Sequence, residues 1–248
     1  MENRRCPRRT PSFAGPTNIP DSVRKACDMQ TMDHRSAAFA RMFPPAMAGV
    51  RRILKMAQGE VIILPSTGTG GWQAAITNTL SPGDTVLAAR FGMFSHRWID
   101  MCQRHGLKVE IIEAAWDKGA PIAAIKAALR ADTAQKIRAV LATHNETATS
   151  VKSDIAGIRR AMDAALHPAM LLVDGVSFNG SMPFEMAAWG VDIAVAVSQK
   201  GCMLPAGLAI LGVSGRAAGD TLHRDDAAHC PAGQERRRRR LWWPRGGM

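Results

Sequence analysis

Two charged side chains stand where a charge is expensive. Lys200 closes the run Val195-Ala196-Val197-Ser198-Gln199-Lys200-Gly201, and Asp174 closes Leu171-Leu172-Val173-Asp174-Gly175-Val176. Both runs have the apolar character of buried strands, and a charge taken out of water without a partner costs several kcal/mol. One reading is structural: the lysine ends at the surface and is solvated, and the aspartate pairs with a core arginine. The other is chemical. A lysine amine in an apolar setting is suited to Schiff-base formation with a carbonyl, and a buried carboxylate is suited to keep a proton on a ring nitrogen.

Three further segments bear on the choice. In Pro65-Ser66-Thr67-Gly68-Thr69-Gly70-Gly71-Trp72 a strand turns through glycines into a helix. Free backbone N–H groups and the positive helix end suit an anion there, and the Thr67 and Thr69 hydroxyls add to the cradle. No Gly-Lys-Ser/Thr follows, so the turn is not a nucleoside-triphosphate loop. Gln73 stands where a dinucleotide fingerprint has its third glycine, and the second strand ends at Arg90 instead of an acid. A single phosphate suits the turn, with a ligand-free βα turn as the alternative. The second strand runs into Phe91-Gly92-Met93-Phe94, an aromatic face for a flat ring or simply core packing. The fourth ends in the polar cluster Thr143-His144-Asn145-Glu146-Thr147-Ala148-Thr149, in which His144 alone is weak evidence. One ligand uses these groups together, with a phosphate for the turn, a ring for the aromatic, a pyridine nitrogen for Asp174 and an aldehyde for Lys200: pyridoxal phosphate.

The elements that must position these residues are short β-rich runs at 61–65, 85–91, 108–113, 137–144, 169–176, 192–198 and 207–213. Several are continuously apolar, as in strands covered on both faces. Helical patterns at 71–80, 95–105, 122–130, 154–165 and 183–189 alternate with them. The expectation is an α/β fold with a mostly parallel, seven-stranded, doubly wound sheet, whose ligands sit at the carboxyl ends of the strands. Residues 13–58 read as helices and loops leading into it, and residues 215–248 as a disordered or out-of-frame basic tail.

The chain has 248 residues, 46% of them hydrophobic, enough for one large core. No apolar run is long enough to span a membrane, and the arginine-rich start lacks a secretory apolar core, so no membrane partner and a cytoplasmic location are expected. The net charge of +11 is concentrated at the ends, with Arg4, Arg5, Arg8 and Arg9 in a tail over residues 1–12 and five arginines at 236–240. That distribution does not make a nucleic-acid-binding face. Cys6, Cys27, Cys102, Cys202 and Cys230 lack metal-ligand spacing and read as free thiols, Cys102 as a buried one, and no metal is expected.

In their order the motifs resemble a class V aminotransferase of fold type I, most of all the serine–glyoxylate and alanine–glyoxylate aminotransferases. The matching stretches are Gly15-Pro16-Thr17-Asn18-Ile19-Pro20, Asp33-His34-Arg35-Ser36, Gly68-Thr69-Gly70, Ala88-Ala89-Arg90-Phe91-Gly92 and Phe94-Ser95-His96. They continue with His144-Asn145-Glu146-Thr147-Ala148-Thr149, Val173-Asp174-Gly175-Val176-Ser177, Ser198-Gln199-Lys200-Gly201 and Leu204-Pro205-Ala206-Gly207. The resemblance covers about residues 13–214. It implies the large domain of a pyridoxal 5'-phosphate enzyme that exchanges an amino group between serine or alanine and glyoxylate or another 2-oxo acid, as a homodimer. It also implies that Lys200 forms the Schiff base and moves the α-proton, while Asp174 keeps the pyridine nitrogen protonated. Thr67, Gly68 and Thr69 would hold the phosphate with Gln199 as a second contact. Phe94 would stack on one ring face, Val176 on the other, and Thr147 would reach the phenolic oxygen side.

Two departures qualify the resemblance. Phe178-Asn179 stand where the family has small or aliphatic residues. The match also stops near Ser214, before the small domain that supplies the arginine for the substrate carboxylate. The expectation is therefore transamination impaired by truncation. The alternatives are an inactive cofactor-binding remnant or a non-enzymatic α/β module whose basic tails bind nucleic acid. A class V lyase or desulfurase fits less well, because its reactive cysteine sits on a later loop and Cys202 follows the lysine too closely.

Overall fold

The computed structural model describes residues 15–223. The basic stretch 1–12 and residues 224–248, with Cys6 and Cys230, lie outside them. In chain order the elements are α1 (Asp21–Cys27), α2 (Ala37–Leu54), β1 (Glu60–Pro65), α3 (Gly68–Thr79), β2 (Thr85–Arg90), α4 (Met93–Arg104), β3 (Lys108–Glu113) and α5 (Ile122–Ala131). They continue with β4 (Ile137–Thr143), β5 (Asn145–Glu146), β6 (Val151–Lys152), α6 (Ile155–Ala164), β7 (Met170–Asp174), β8 (Ile193–Val197), β9 (Leu208–Val213) and α7 (Gly215–His223).

Seven strands form one sheet in the order β1-β9-β8-β7-β4-β2-β3, and β5 and β6 form a separate two-stranded ribbon. Neighbours pair in parallel except at β9, which runs antiparallel to both β1 and β8. Every residue of β7 and β8 is buried, which accounts for their unbroken apolar sequences. Alternate residues feed opposite faces, since successive side chains of a strand point to opposite sides. Val86, Ala88, Leu141, Leu172 and Val195 join Trp72, Ile76, Trp98 and Ile99 of α3 and α4 on one face. Leu87, Val140, Leu171, Val173 and Ala194 join Ile125, Leu129, Ile155, Ile158 and Met162 of α5 and α6 on the other. Fully burying one such aliphatic side chain stabilises by about 1.5–3 kcal/mol. These two layers hold the central strands, and so their polar carboxyl ends, in fixed register.

The structure redraws four boundaries. α3 begins at Gly68, three residues before the patterned 71–80, because Thr67 caps it through a 3.3 Å bond from the Gly70 N–H. α4 begins at Met93 and draws its cap from Glu146, 52 residues away, whose carboxylate accepts the Phe94 and Ser95 N–H groups at 3.0 Å. Residues 183–189 form an irregular stretch and then turns at 186–189 instead of a helix, since the N–H groups of Met186 and Ala187 are taken by the Leu54 and Lys55 carbonyls. The tail expected from residue 215 starts instead with helix α7, capped by Ser214, which accepts the Ala217 N–H at 3.1 Å. Arg216 reaches the buried Asp192 with its Nε 2.8 Å from Oδ1, and Ala217 is fully buried. Its two glycines and short apolar content hide this helix from a periodicity reading.

Candidate active site

The carboxyl ends of β1, β2, β4, β7 and β8 gather the residues singled out above. Asp174 ends β7, paired in register with Thr143 of β4 and Val195 of β8. Its backbone carbonyl accepts the His144 N–H, and Oδ1 accepts the Val176 N–H at 2.9 Å. The carboxyl is buried and has no salt-bridge partner among the described residues. Burial therefore pushes its pKa up to about 7, and the nearby Glu146 charge adds to the rise. The Val176 N–H opposes the rise, as does the Trp72 indole, which lies close enough to favour the ionised form without a well-formed hydrogen bond.

Lys200 lies in the β8–β9 connection, half-buried, and burial lowers its amine pKa. Buried Ser198 closes that connection: its Oγ donates to Pro205 O at 2.6 Å and accepts the Leu208 N–H at 3.2 Å. The Lys200 amine donates to Gly15 O at 3.5 Å, and Thr17 binds the Gln199 and Lys200 carbonyls.

The glycine turn is the first turn of α3. Gly68 packs so closely on Val176 that a Cβ would sit 3.0 Å from Val176 Cγ2, and one on Gly71 would sit 2.7 Å from Val195 Cγ1. Without side chains there, the helix N-terminus abuts β8 and the loop after β7. Thr67 and Thr69 are exposed beside it. Phe94 is half-buried, edge-on to Trp72 with centroids 6.5 Å apart, and Trp72 stacks on Trp98 at 5.7 Å. Asp174, Val176, Gly68 and Phe94 thus come together through Trp72 and Glu146, while Lys200 and Gln199 stand on the adjoining loop. Thr147 lies between β5 and β6, half-buried, and no described contact ties it to the others.

His144 is buried against Phe178 with ring centroids 3.7 Å apart, and burial helped by Lys152 holds its pKa down to about 4. It packs with Phe178, Phe184 and Trp189 as a structural aromatic cluster. Cys102 is fully buried, and its thiol is pushed up to about 12, as a core residue would be. Sequence reasoning missed the parts played by Glu146, Trp72, Ser198 and Thr17. Glu146 carried a signal, an acid three residues after a buried strand, whereas the others depend on tertiary contact. A groove of about 560 Å³ lined by Met56, Gln58, Arg159, Met186 and Arg216 lies at the opposite, amino end of the sheet and includes none of the predicted site residues.

The family described as Aminotransferase class-V matches residues 14–223. The chain is 66% identical to the L-aspartate–glyoxylate aminotransferase of Paracoccus denitrificans over 203 residues, 82% of this chain and 51% of that one. It is 52% identical to the serine–glyoxylate aminotransferase of Hyphomicrobium methylovorum, covering 82% of this chain and 50% of the relative. Among solved structures, the alanine–glyoxylate aminotransferase from Nostoc superposes with a TM-score of 0.81 at 29% identity, over 91% of this chain and 58% of that one. The chain thus spans about half the length of the curated relatives it matches.

Proposed function

This chain belongs to the class-V aminotransferases, and from that premise we propose that it transfers the amino group of a small amino acid to glyoxylate or another 2-oxo acid. We propose pyridoxal 5'-phosphate as its cofactor and a second copy of the chain as its partner. The observation that carries the reading is Asp174: a buried carboxyl at the end of a central strand, with a pKa near 7 and no described cationic partner. A protonated ring nitrogen meets that need. The residues present fit the cofactor, because the glycine-rich first turn of α3 offers N–H groups to a phosphate beside the same carboxyl. When bound, the cofactor supplies an aldehyde and a ring that accepts electrons.

The chain's own residues then have defined work. Lys200, whose amine burial makes easier to deprotonate, serves as the nucleophile and afterwards takes and returns a proton at Nζ. Asp174 holds a proton on the ring nitrogen. Thr67, Gly68, Thr69 and Gln199 hold the phosphate, Phe94 and Val176 cover the ring faces, and Thr147 stands toward the phenolic oxygen.

These three relatives are named for glyoxylate and differ in the donor, which supports glyoxylate as the acceptor. Serine and alanine are proposed donors, and the 66% identity to an L-aspartate–glyoxylate enzyme brings in aspartate as a third. Purified chain is to be mixed with pyridoxal phosphate, glyoxylate and each donor in turn, with glycine formation measured. The expected result is glycine from at least one donor and a cofactor absorbance band near the visible edge that Lys200→Ala abolishes. Absence of both the band and glycine in the unaltered chain would overturn the proposal.

A further inference from the structure

The segment just inside the first described residue is bound to the loop that carries Lys200, 182 to 185 positions away in sequence. The Thr17 N–H donates to Gln199 O at 2.9 Å, and Thr17 Oγ1 donates to Lys200 O at 2.9 Å and lies 3.3 Å from Gln199 O. The same Lys200 carbonyl accepts the Met203 N–H at 2.9 Å, so both of its lone pairs are engaged. Gly15 crosses the lysine side chain itself, where its carbonyl accepts from Nζ at 3.5 Å and a Cβ would sit 2.9 Å from Lys200 Cδ. With φ at +101°, position 15 is in the left-handed region that favours glycine. The backbone thus favours a residue without a side chain there, and a Cβ would fit only if the lysine stem or the strap moved.

We infer that residues 15–17 form a strap that positions Lys200, with Thr17 fixing the main chain on either side of the lysine's peptide nitrogen and the Gly15 carbonyl holding the amine. The other supports of this loop, Ser198 with the Pro205 carbonyl and Leu208 N–H, close its far side. Thr17 is the one polar side chain from outside the hairpin that binds the Lys200 peptide among the described contacts. A lysine has four flexible bonds and substantial rotamer entropy to lose. Fixing its backbone and laying Gly15 along its stem restricts that freedom before any reaction, and shields the amine from bulk reagents. Thr17 touches no reacting atom and acts only through Lys200, so it is a positioning residue. The inference rests on the reading that the Lys200 amine is the reacting group.

The test uses the cofactor-free chain. Its amines are trace-labelled with acetic anhydride across a pH series, and labelling of each lysine is quantified by peptide mass spectrometry, with exposed Lys108 and Lys118 as references. Thr17→Val is expected to speed Lys200 labelling by about two- to tenfold relative to the references, the equivalent of one lost hydrogen bond. Thr17→Ser, which keeps the hydroxyl, is expected to label like the unaltered chain. Equal labelling in Thr17→Val and the unaltered chain overturns the strap, and so does a Thr17→Ser variant that behaves like Thr17→Val. If Thr17→Val does not fold by circular dichroism, Gly15→Ala carries the same test, since its Cβ must part the strap from the Lys200 stem, whichever of the two moves, and raise labelling there. Borohydride reduction of the unaltered chain with pyridoxal phosphate, followed by peptide mapping, separates this outcome from the functional reading. Attachment elsewhere than at Lys200 sinks that reading and leaves the labelling result standing.

Discussion

At Asp174, burial and the Glu146 carboxylate push in the same direction, so the folded chain keeps this proton up to about pH 7, whereas the ordinary value is 3.8. Between those pH values the folded state holds a proton that the unfolded state has released, and this group's contribution to stability falls as pH rises. His144 works in the opposite sense: with its pKa lowered from 6.5 to about 4, it costs stability as pH falls through that range. The two partly cancel, and only a difference between variants isolates Asp174. Asp174→Asn is expected to leave stability of the cofactor-free chain unchanged near pH 4. The gain then grows up to pH 7 and levels off, at no more than about 4 kcal/mol. Urea unfolding from pH 4 to 8 checks this, and a gain independent of pH would count against a protonated buried carboxyl. Added pyridoxal phosphate is expected to stabilise the unaltered chain and not Asp174→Asn, because the amide cannot offer the ring nitrogen a negative charge. The same residue would then destabilise the empty fold and secure the cofactor.

Among the elements, α3 carries the greatest positional demand, since its first turn must lie against β8 and the loop after β7. Gly71→Ala would bring a methyl group 2.7 Å from Val195 Cγ1 and 3.3 Å from Ala209 Cβ, pushing the helix from the sheet. The expected cost is about 1–3 kcal/mol, as for overpacked cores, with weaker phosphate binding, measurable by thermal unfolding and cofactor titration. Unchanged cofactor affinity in a destabilised Gly71→Ala would mean that the turn does not hold the phosphate. The loop after β7 makes a contrasting case. Asn179 is buried, and neither its Nδ2 nor its Oδ1 has a hydrogen-bond partner among the described residues. Asn179→Leu is expected to raise stability by about 1–2 kcal/mol by removing two unsatisfied polar atoms, and a lower melting point would refute this. Continuous apolar runs made the strands legible in the sequence, and charges closing two of those runs exposed Lys200 and Asp174. What stayed hidden was tertiary in origin. The cap of α4 comes from Glu146, 52 residues on, and the support of Lys200 from Thr17, 183 residues back. Residues 183–189 have a helical pattern but spend two N–H groups on the end of α2, which no local period reveals.

Across the whole molecule the sheet has a chemical end and a structural end. At the carboxyl ends stand Asp174, Lys200 and the glycine turn of α3, whereas at the amino ends the charged groups are bound to one another. Asp192, just before β8, is buried, and its carboxylate accepts the Leu171 N–H at 2.7 Å, the Ser214 hydroxyl at 3.2 Å and the Arg216 Nε at 2.8 Å. Arg216 also reaches the Pro168 and Ala169 carbonyls at 3.2 Å, so one guanidinium joins α7 to the starts of β7 and β8. Its side chain is 43% exposed against 4% for Asp192, and solvent screens part of the attraction. The cost of breaking the pair then comes chiefly from the carboxylate left buried behind it. Arg216→Ala is expected to destabilise by about 1–3 kcal/mol, below the range for a wholly buried pair. Arg216→Lys should lie between the two, since an ammonium keeps the charge and loses the paired geometry. A chain shortened to residues 1–214 should lose more than Arg216→Ala, because burial of Ala217 goes with the guanidinium. Thermal unfolding of the three variants beside the full chain orders them. If the shortened chain melts with the full one, α7 is an appendage and the folded body ends at β9; the graded series instead makes residues 215–223 part of the core that holds the strand ends in place.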